Sequence, residues 1–239
     1  GPDASKFLQG QVTCDIRTII HESSLGAHCT HKGRMLFSFL ALASNPENIY
    51  LRLPKEQAHS ALAALNKYII FSKAKAEKIS IDCLQLGLWG PDARSVITSI
   101  LGHCPVNNAE FIQTDLHTVI QLEESRFECW LHSSNTTDNS NTLVKLQQNA
   151  APSKYEHWQL IDIQSGIGHV YAPNTEQFIP QMLNYQALGA ISFNKGCYTG
   201  QEIVARMKYH GKIKREMYRV RGDTFNPPLP GAPVYTASS

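Results

Sequence analysis

Asn194-Lys195-Gly196-Cys197-Tyr198-Thr199-Gly200-Gln201-Glu202-Ile203-Val204-Ala205-Arg206 is the stretch around which this chain is organised. A lysine, a glycine and a cysteine come first, then the start of a helix. Thr199 is an expected N-cap, and Glu202 three residues on completes a Thr-x-x-Glu capping box. Gly200 falls in the first turn, and Gln201 to Met207 continue helically until Gly211 offers a stop. Cys197 therefore sits just before a helix N-terminus, with Lys195 beside it in sequence. Unpaired amides and the positive end of the helix dipole favour an anion there, and an ammonium adds to the effect. Both favour a thiolate over a thiol, so Cys197 reads as reactive or ligand-binding. The competing reading is a small buried hydrophobe. Gly196 and Gly200 suggest a backbone that turns tightly or lets something approach closely.

From Lys195 through Glu202, with Ala205-Arg206 following, the stretch resembles the signature of the YgfZ family. These are folate-binding proteins related to the T-protein of the glycine cleavage system, an aminomethyltransferase. The motif is long and specific. The resemblance implies an α+β, aminomethyltransferase-like folate-binding fold, with ferredoxin-like lobes around a central cavity and a C-terminal β-barrel. It also implies tetrahydrofolate as cofactor.

The bulk properties agree with a globular chain. A length of 239 residues allows one large domain or two. An apolar content of 42% with 18% charged residues reads as soluble and globular. There is no apolar run near the roughly 18 residues a membrane span needs, so none is expected. A formal net charge of +2 is too small to argue for nucleic acid by itself. The cysteines, Cys14, Cys29, Cys83, Cys104, Cys129 and Cys197, are scattered without a C-x-x-C pair. They read as reduced thiols in a cytoplasmic protein. No metal site of close-spaced ligands is expected, while one assembled from distant cysteines or shared with a partner stays open.

Taken in order, Asp3 to Leu8 predicts a short helix capped by Asp3 and stopped by Gly10. Gln9 to Asp15 reads as a cap and loop from composition. Its F-L-Q-G-Q-V-T-C-D order resembles the family's opening segment, which implies Gln11 and Asp15 on a cavity wall. Ala27 to Leu42 predicts a hairpin turning at His31-Lys32-Gly33-Arg34, followed by a strand from Ile49 to Leu53. Pro54 to about Lys67 has helical apolar spacing. A strand from Ile79 to Trp89, a helix from Asp92 to Leu101, and strands at Leu116–Leu122 and Phe127–His132 follow. The polar run Ser133–Asn141 reads as a solvated loop before a helix at Leu143–Gln148. Such strand and helix alternation suggests ferredoxin-like units. The expected divisions are residues 1–75 for the first lobe, 76–154 for the second, 155–211 for the signature segment and its helix, and 212–239 for an incomplete barrel.

Trp158 to Gly166 predicts a helix ending at glycine. Its W…I-x-S-G-I order resembles the family's second landmark, where a tryptophan holds the pteridine, and a flat aromatic surface suits a bicyclic ring. Where relatives carry glutamate at the pterin edge, this chain has Gln164. The run from Gln177 to Phe193 lacks charge and reads as buried connection. Lys208 to Arg221 is basic and reads either as a solvated face or as a polyanion patch.

The expected site therefore places Cys197 and Lys195 in a catalytic role and Trp158, Gln164, Gln11, Asp15, Tyr198 and Arg206 around tetrahydrofolate. The resemblance implies support of iron–sulfur proteins such as tRNA-modifying enzymes, with Lys208–Arg221 offering tRNA contact in a monomeric, non-membrane protein. The alternatives are a folate-dependent aminomethyltransferase and a non-catalytic folate or tRNA binding module.

Overall fold

The computed structural model describes residues 1–79, 83–132, 136–209, 211, 213, 215–222, 228–229 and 231–235. Two antiparallel sheets form its frame. The first has the order β1-β2-β3, from Ser24–Cys29, Met35–Asn45 and Asn48–Arg52. The second has the order β4-β7-β6-β5, from Cys83–Trp89, Phe111–Gln113 (β5), His117–Glu123 (β6) and Arg126–His132 (β7).

β2 is the central strand of the first sheet and is buried on both faces, which explains its nearly continuous apolar run. Phe37, Phe39, Ala41 and Ala43 point to a core shared with helix α1 (Ala4–Gln9) and helix α2 (Ala58–Ile69), including Phe7, Leu8, Ala61 and Leu65. Leu40 and Leu42 point the other way and meet Ile120 and Trp130 of the second sheet. One strand thereby packs the first lobe and also seats the second. The hairpin turn falls where the sequence predicts it, with Gly33 at φ +69°.

In the second lobe, helix α3 (Ala93–Leu101) links β4 to the β5–β7 meander, and helix α4 (Thr136–Asn149) follows β7. β7 runs antiparallel to both β4 and β6, so β4 and β6 are parallel with β7 between them. That is the split β-α-β of a ferredoxin-like unit. Leu88, Ile97, Val119, Phe127, Cys129 and Leu146 form its core. The structure differs from the sequence expectations at two points here. β5 is additional, because three residues are too few for a pattern. α4 begins at Thr136 rather than Leu143, since packing of its Leu146 side against the lobe outweighs the weak helix preference of Thr, Asn and Ser. Residues 133–135 of the expected loop, and 80–82 of the expected strand before Cys83, lie outside the described residues.

Helix α5 (Tyr155–Gln164) begins three residues before Trp158 and ends ahead of Gly166, whose φ is +69°. The chain from Ile167 to Phe193 then crosses the open face of the first sheet. Leu183, Tyr185, Ala190 and Ile191 bury themselves against Ala27, Cys29, Met35 and Val204, as the uncharged run Gln177–Phe193 predicts, and Val170 joins them. Helix α6 (Gln201–Tyr209) closes this layer. Beyond it, no strand and no closed barrel form among the described residues. Lys212 and Lys214 of the basic run lie outside the described residues. No helix among the described residues is long and apolar enough to cross a membrane.

Candidate functional site

The signature folds back onto the opening segment. Lys195 is buried, and its ammonium donates to the carbonyls of Val12 at 2.8 Å and Cys14 at 2.6 Å. Burial pulls its pKa down to about 8. Thr13 reinforces the seam: its hydroxyl donates to the Ala190 carbonyl and accepts from the Ala27 amide. The Ser192 amide donates to the Thr13 carbonyl, and the Thr199 amide to that of Gly10. The expected capping box is not used. Thr199 gives its hydroxyl to Gln11 Oε1 at 3.3 Å, and the helix begins after Gly200, whose φ is +86°. A side chain at Gly200 would meet the Thr30 carbonyl at 2.5 Å, so only glycine lets the hairpin turn approach the helix this closely.

In this geometry Lys195 and Cys197 lie on opposite sides of the segment's surface, one buried and one exposed. Every hydrogen bond of Lys195 goes inward, while Cys197 is exposed. Tyr198 is buried beneath the Lys195 ammonium, which lies 5.2 Å from its ring centroid, and burial raises the phenol's pKa. Arg206 is exposed on α6. Asp15 accepts from Gln9 and from Arg17, an arrangement that holds its carboxyl well below the usual range, with the Arg17 bond the largest cause. Gln11 and Asp15 thus knit the loop together instead of lining the cavity between the lobes.

That cavity measures about 450 Å³ and is walled by both lobes and by α5. Leu25, Leu40, Leu122, Ile167 and Leu188 supply its apolar surface, and Arg52, Glu123, Asp162, Ser165 and His169 its polar groups. Arg52 on β3 and Glu128 on β7 pair across the lobes at 2.6 Å, and the Trp130 indole donates to the same carboxylate at 3.1 Å. Asp162 accepts from Arg126 Nη2 at 2.5 Å and lies 3.0 Å from His169 Nε2. Ser165 donates to Glu123 at 2.5 Å.

None of the eight residues expected at the site lines this cavity. Trp158 lies four residues before Asp162 on the buried side of α5. It stands behind the wall, however. Arg126 covers its ring at 4.2 Å, Trp89 lies 5.9 Å away, and Gly87 is bare where a Cβ would come within 2.5 Å of the indole. Gln164 is exposed. The residues missed in sequence are Asp162, Ser165, His169, Arg52 and Glu123. One clue was legible: Trp158, Asp162 and Ser165 are spaced by four and three and so share a helix face, with an acid set inside the apolar run Leu160 to Ile163.

The chain is 38% identical over 232 residues to the tRNA-modifying protein YgfZ of Photobacterium profundum, an alignment covering 97% of this chain and 68% of that one. The chain belongs to the YgfZ family. The YgfZ protein of Photorhabdus laumondii is 37% identical over 97% of this chain and 69% of its own. That of Hamiltonella defensa is 36% identical over 93% and 66%. The chain thus spans about two thirds of the length of these YgfZ relatives. No protein-family model matches it. The glycine cleavage system aminomethyltransferase T of Bartonella henselae superposes with a TM-score of 0.70 at 15% identity, over 87% of this chain and 59% of that one. The fold is that of the aminomethyltransferase, as the signature implied.

Proposed function

We propose that the chain binds a reduced folate, tetrahydrofolate, in the cavity between its lobes and serves tRNA modification by supporting iron–sulfur enzymes. The observation that supports this most is the cavity itself: a lined chamber at the lobe junction of an aminomethyltransferase fold, in a YgfZ-family chain. Its volume of about 450 Å³ lies within the roughly 300–1,000 Å³ of small-molecule sites, and it has their mix of apolar wall and few polar groups. The groups present suit a folate. Apolar side chains flank a flat ring, acceptors meet the aminopyrimidine edge, and Arg52 offers a cation for a carboxylate tail. The bound folate would supply one-carbon chemistry.

The signature forms a second surface. Cys197 stands exposed beside Gly196, whose missing side chain leaves open space. Arg206 and Lys208 project from α6, with Lys208 Nζ 3.9 Å from the ring centroid of Phe193 and 5.0 Å from that of Tyr209. Cations interleaved with aromatic rings suit single-stranded or looped RNA, which offers phosphates and stackable bases. The Cys197 thiol is available to an iron–sulfur partner or its cluster. Titrating the full chain with tetrahydrofolate, beside complementation of iron–sulfur enzyme activity in cells lacking the native protein, tests the two surfaces separately. Saturable binding with loss of complementation in Cys197→Ser is the expected result. Absence of binding removes the folate reading, and full complementation by the serine variant removes the role of the thiol.

A further inference from the structure

α5 and the segment after it bring a carboxylate and an imidazole together at the cavity wall. Asp162 has one oxygen on Arg126 Nη2 at 2.5 Å and the other 3.0 Å from His169 Nε2. Burial works against its ionisation, but His169 and Arg126 outweigh burial and hold the carboxyl below its ordinary value. An ionised carboxylate only accepts hydrogen bonds, so Nε2 must carry the hydrogen. In a neutral imidazole the remaining nitrogen, Nδ1, is then a bare acceptor.

His169 lines the cavity, and its Nδ1 has no hydrogen-bond partner among the described residues. Nor is it one of the buried polar atoms left without a partner, so it keeps some exposure. Arg52 supplies the opposite character. Its Nη2 and Nε are spent on Glu128, while Nη1 has no hydrogen-bond partner among the described residues. Gln164, the residue that the family resemblance assigns to the pterin edge, is exposed, whereas Asp162 two positions earlier faces the cavity.

We propose that Asp162 and His169 form a carboxylate–imidazole pair that presents Nδ1 as a fixed acceptor and so selects a ligand whose aminopyrimidine edge carries an amino N–H. Asp162 is the positioning residue, and His169 touches the ligand. The assignment rests on the folate reading above. Asp162→Asn reverses the polarity of the pair: a carboxamide can donate to Nε2, which turns Nδ1–H outward as a donor and removes the acceptor.

The test titrates 5-formyltetrahydrofolate and its 2-desamino analogue into the full chain, wild type, Asp162→Asn and His169→Phe, with 15N spectra of the histidines alongside. Wild type is expected to prefer the amino compound by roughly 10- to 100-fold, the cost of leaving a buried acceptor unpaired. Both variants should lose that preference, and wild-type His169 should show the Nε2–H tautomer. If Asp162→Asn does not fold, His169→Phe and the wild-type tautomer still decide. Preference retained in the variants, or a hydrogen on Nδ1 in wild type, whether as the other tautomer or as the imidazolium, overturns the assignment while leaving folate binding intact. Failure of wild type to bind either compound overturns the folate reading, and the ligand role of the pair falls with it.

Discussion

Replacing Gly200 by alanine should damage the signature far more than the same change at Gly196, although both glycines lie in one short stretch. Gly200 has φ +86°, and a Cβ there would lie 2.5 Å from the Thr30 carbonyl and 3.1 Å from Cys29 Cβ. The left-handed conformation costs an alanine about 1–2 kcal/mol. The clash is with backbone, which cannot rotate away, and overpacking of this kind adds about 1–3 kcal/mol. A total near 3 kcal/mol lowers the melting temperature by roughly 6–12 °C, at about 2–4 °C per kcal/mol for a chain of this size. At Gly196 a methyl group would meet no atom within 4 Å, and this glycine is not among those of positive φ. Gly196→Ala should therefore stay within about 0.5 kcal/mol of wild type, or gain slightly through the unfolded state. Calorimetric melting of the three proteins reads the difference. Equal melting of Gly200→Ala and wild type, or an equal fall for both variants, would refute the close approach of hairpin and helix on which the signature's shape depends.

Three further outcomes concern the thiols and the lobe junction. Burial pushes the thiols of Cys14 up to about 11 and of Cys29 and Cys129 up to about 12, so the native state holds them neutral where the unfolded chain ionises. Their stabilisation is complete below pH 9 and fades as pH rises through the folded values, at about 4 kcal/mol per pH unit for the three together. Lys195, depressed to about 8, opposes this by about 1.4 kcal/mol per unit between pH 8 and 10.5, so urea midpoints should fall steeply from pH 9 to pH 10, and a flat profile contradicts the burial. Cys197, the exposed thiol among six, should alkylate fastest at neutral pH by mass spectrometry, and the idea fails if Cys83 or Cys104 keeps pace. Glu128→Gln removes the charge opposite Arg52 at the lobe junction and should cost about 3 kcal/mol in urea unfolding, toward the low end for a buried pair because Arg52 also faces the cavity. A loss under about 0.5 kcal/mol would show that the lobes are held by the Leu40–Trp130 packing alone.

The frame was legible in sequence wherever periodicity and turn chemistry agreed. The hairpin at Gly33, the helix ended before Gly166 and the uncharged layer up to Phe193 all carry local signatures, and all three formed. The site was less legible, because its residues are brought together by lobe packing that leaves no spacing rule. Arg52 and Glu128 are 76 positions apart, and Arg126 and Asp162 are 36 apart. Local reasoning also overrates neighbours in sequence. Lys195 and Cys197 are two residues apart, yet the ammonium turns inward to two carbonyls and the thiol outward. Trp158 stands out in the sequence, but its contacts on Gly87, Trp89 and Arg126 show that it supports the cavity wall from behind.

On the proposed function, the chamber between the lobes is the folate site. A crystal structure of the full chain with 5-formyltetrahydrofolate bound tests it most directly. The pterin is expected inside the chamber, with its amino group at His169 Nδ1 and its flanks on Leu40 and Ile167, while Trp158 keeps its place under Arg126. A folate bound outside the chamber, against Gln164 or on the signature face beside Cys197, would contradict it.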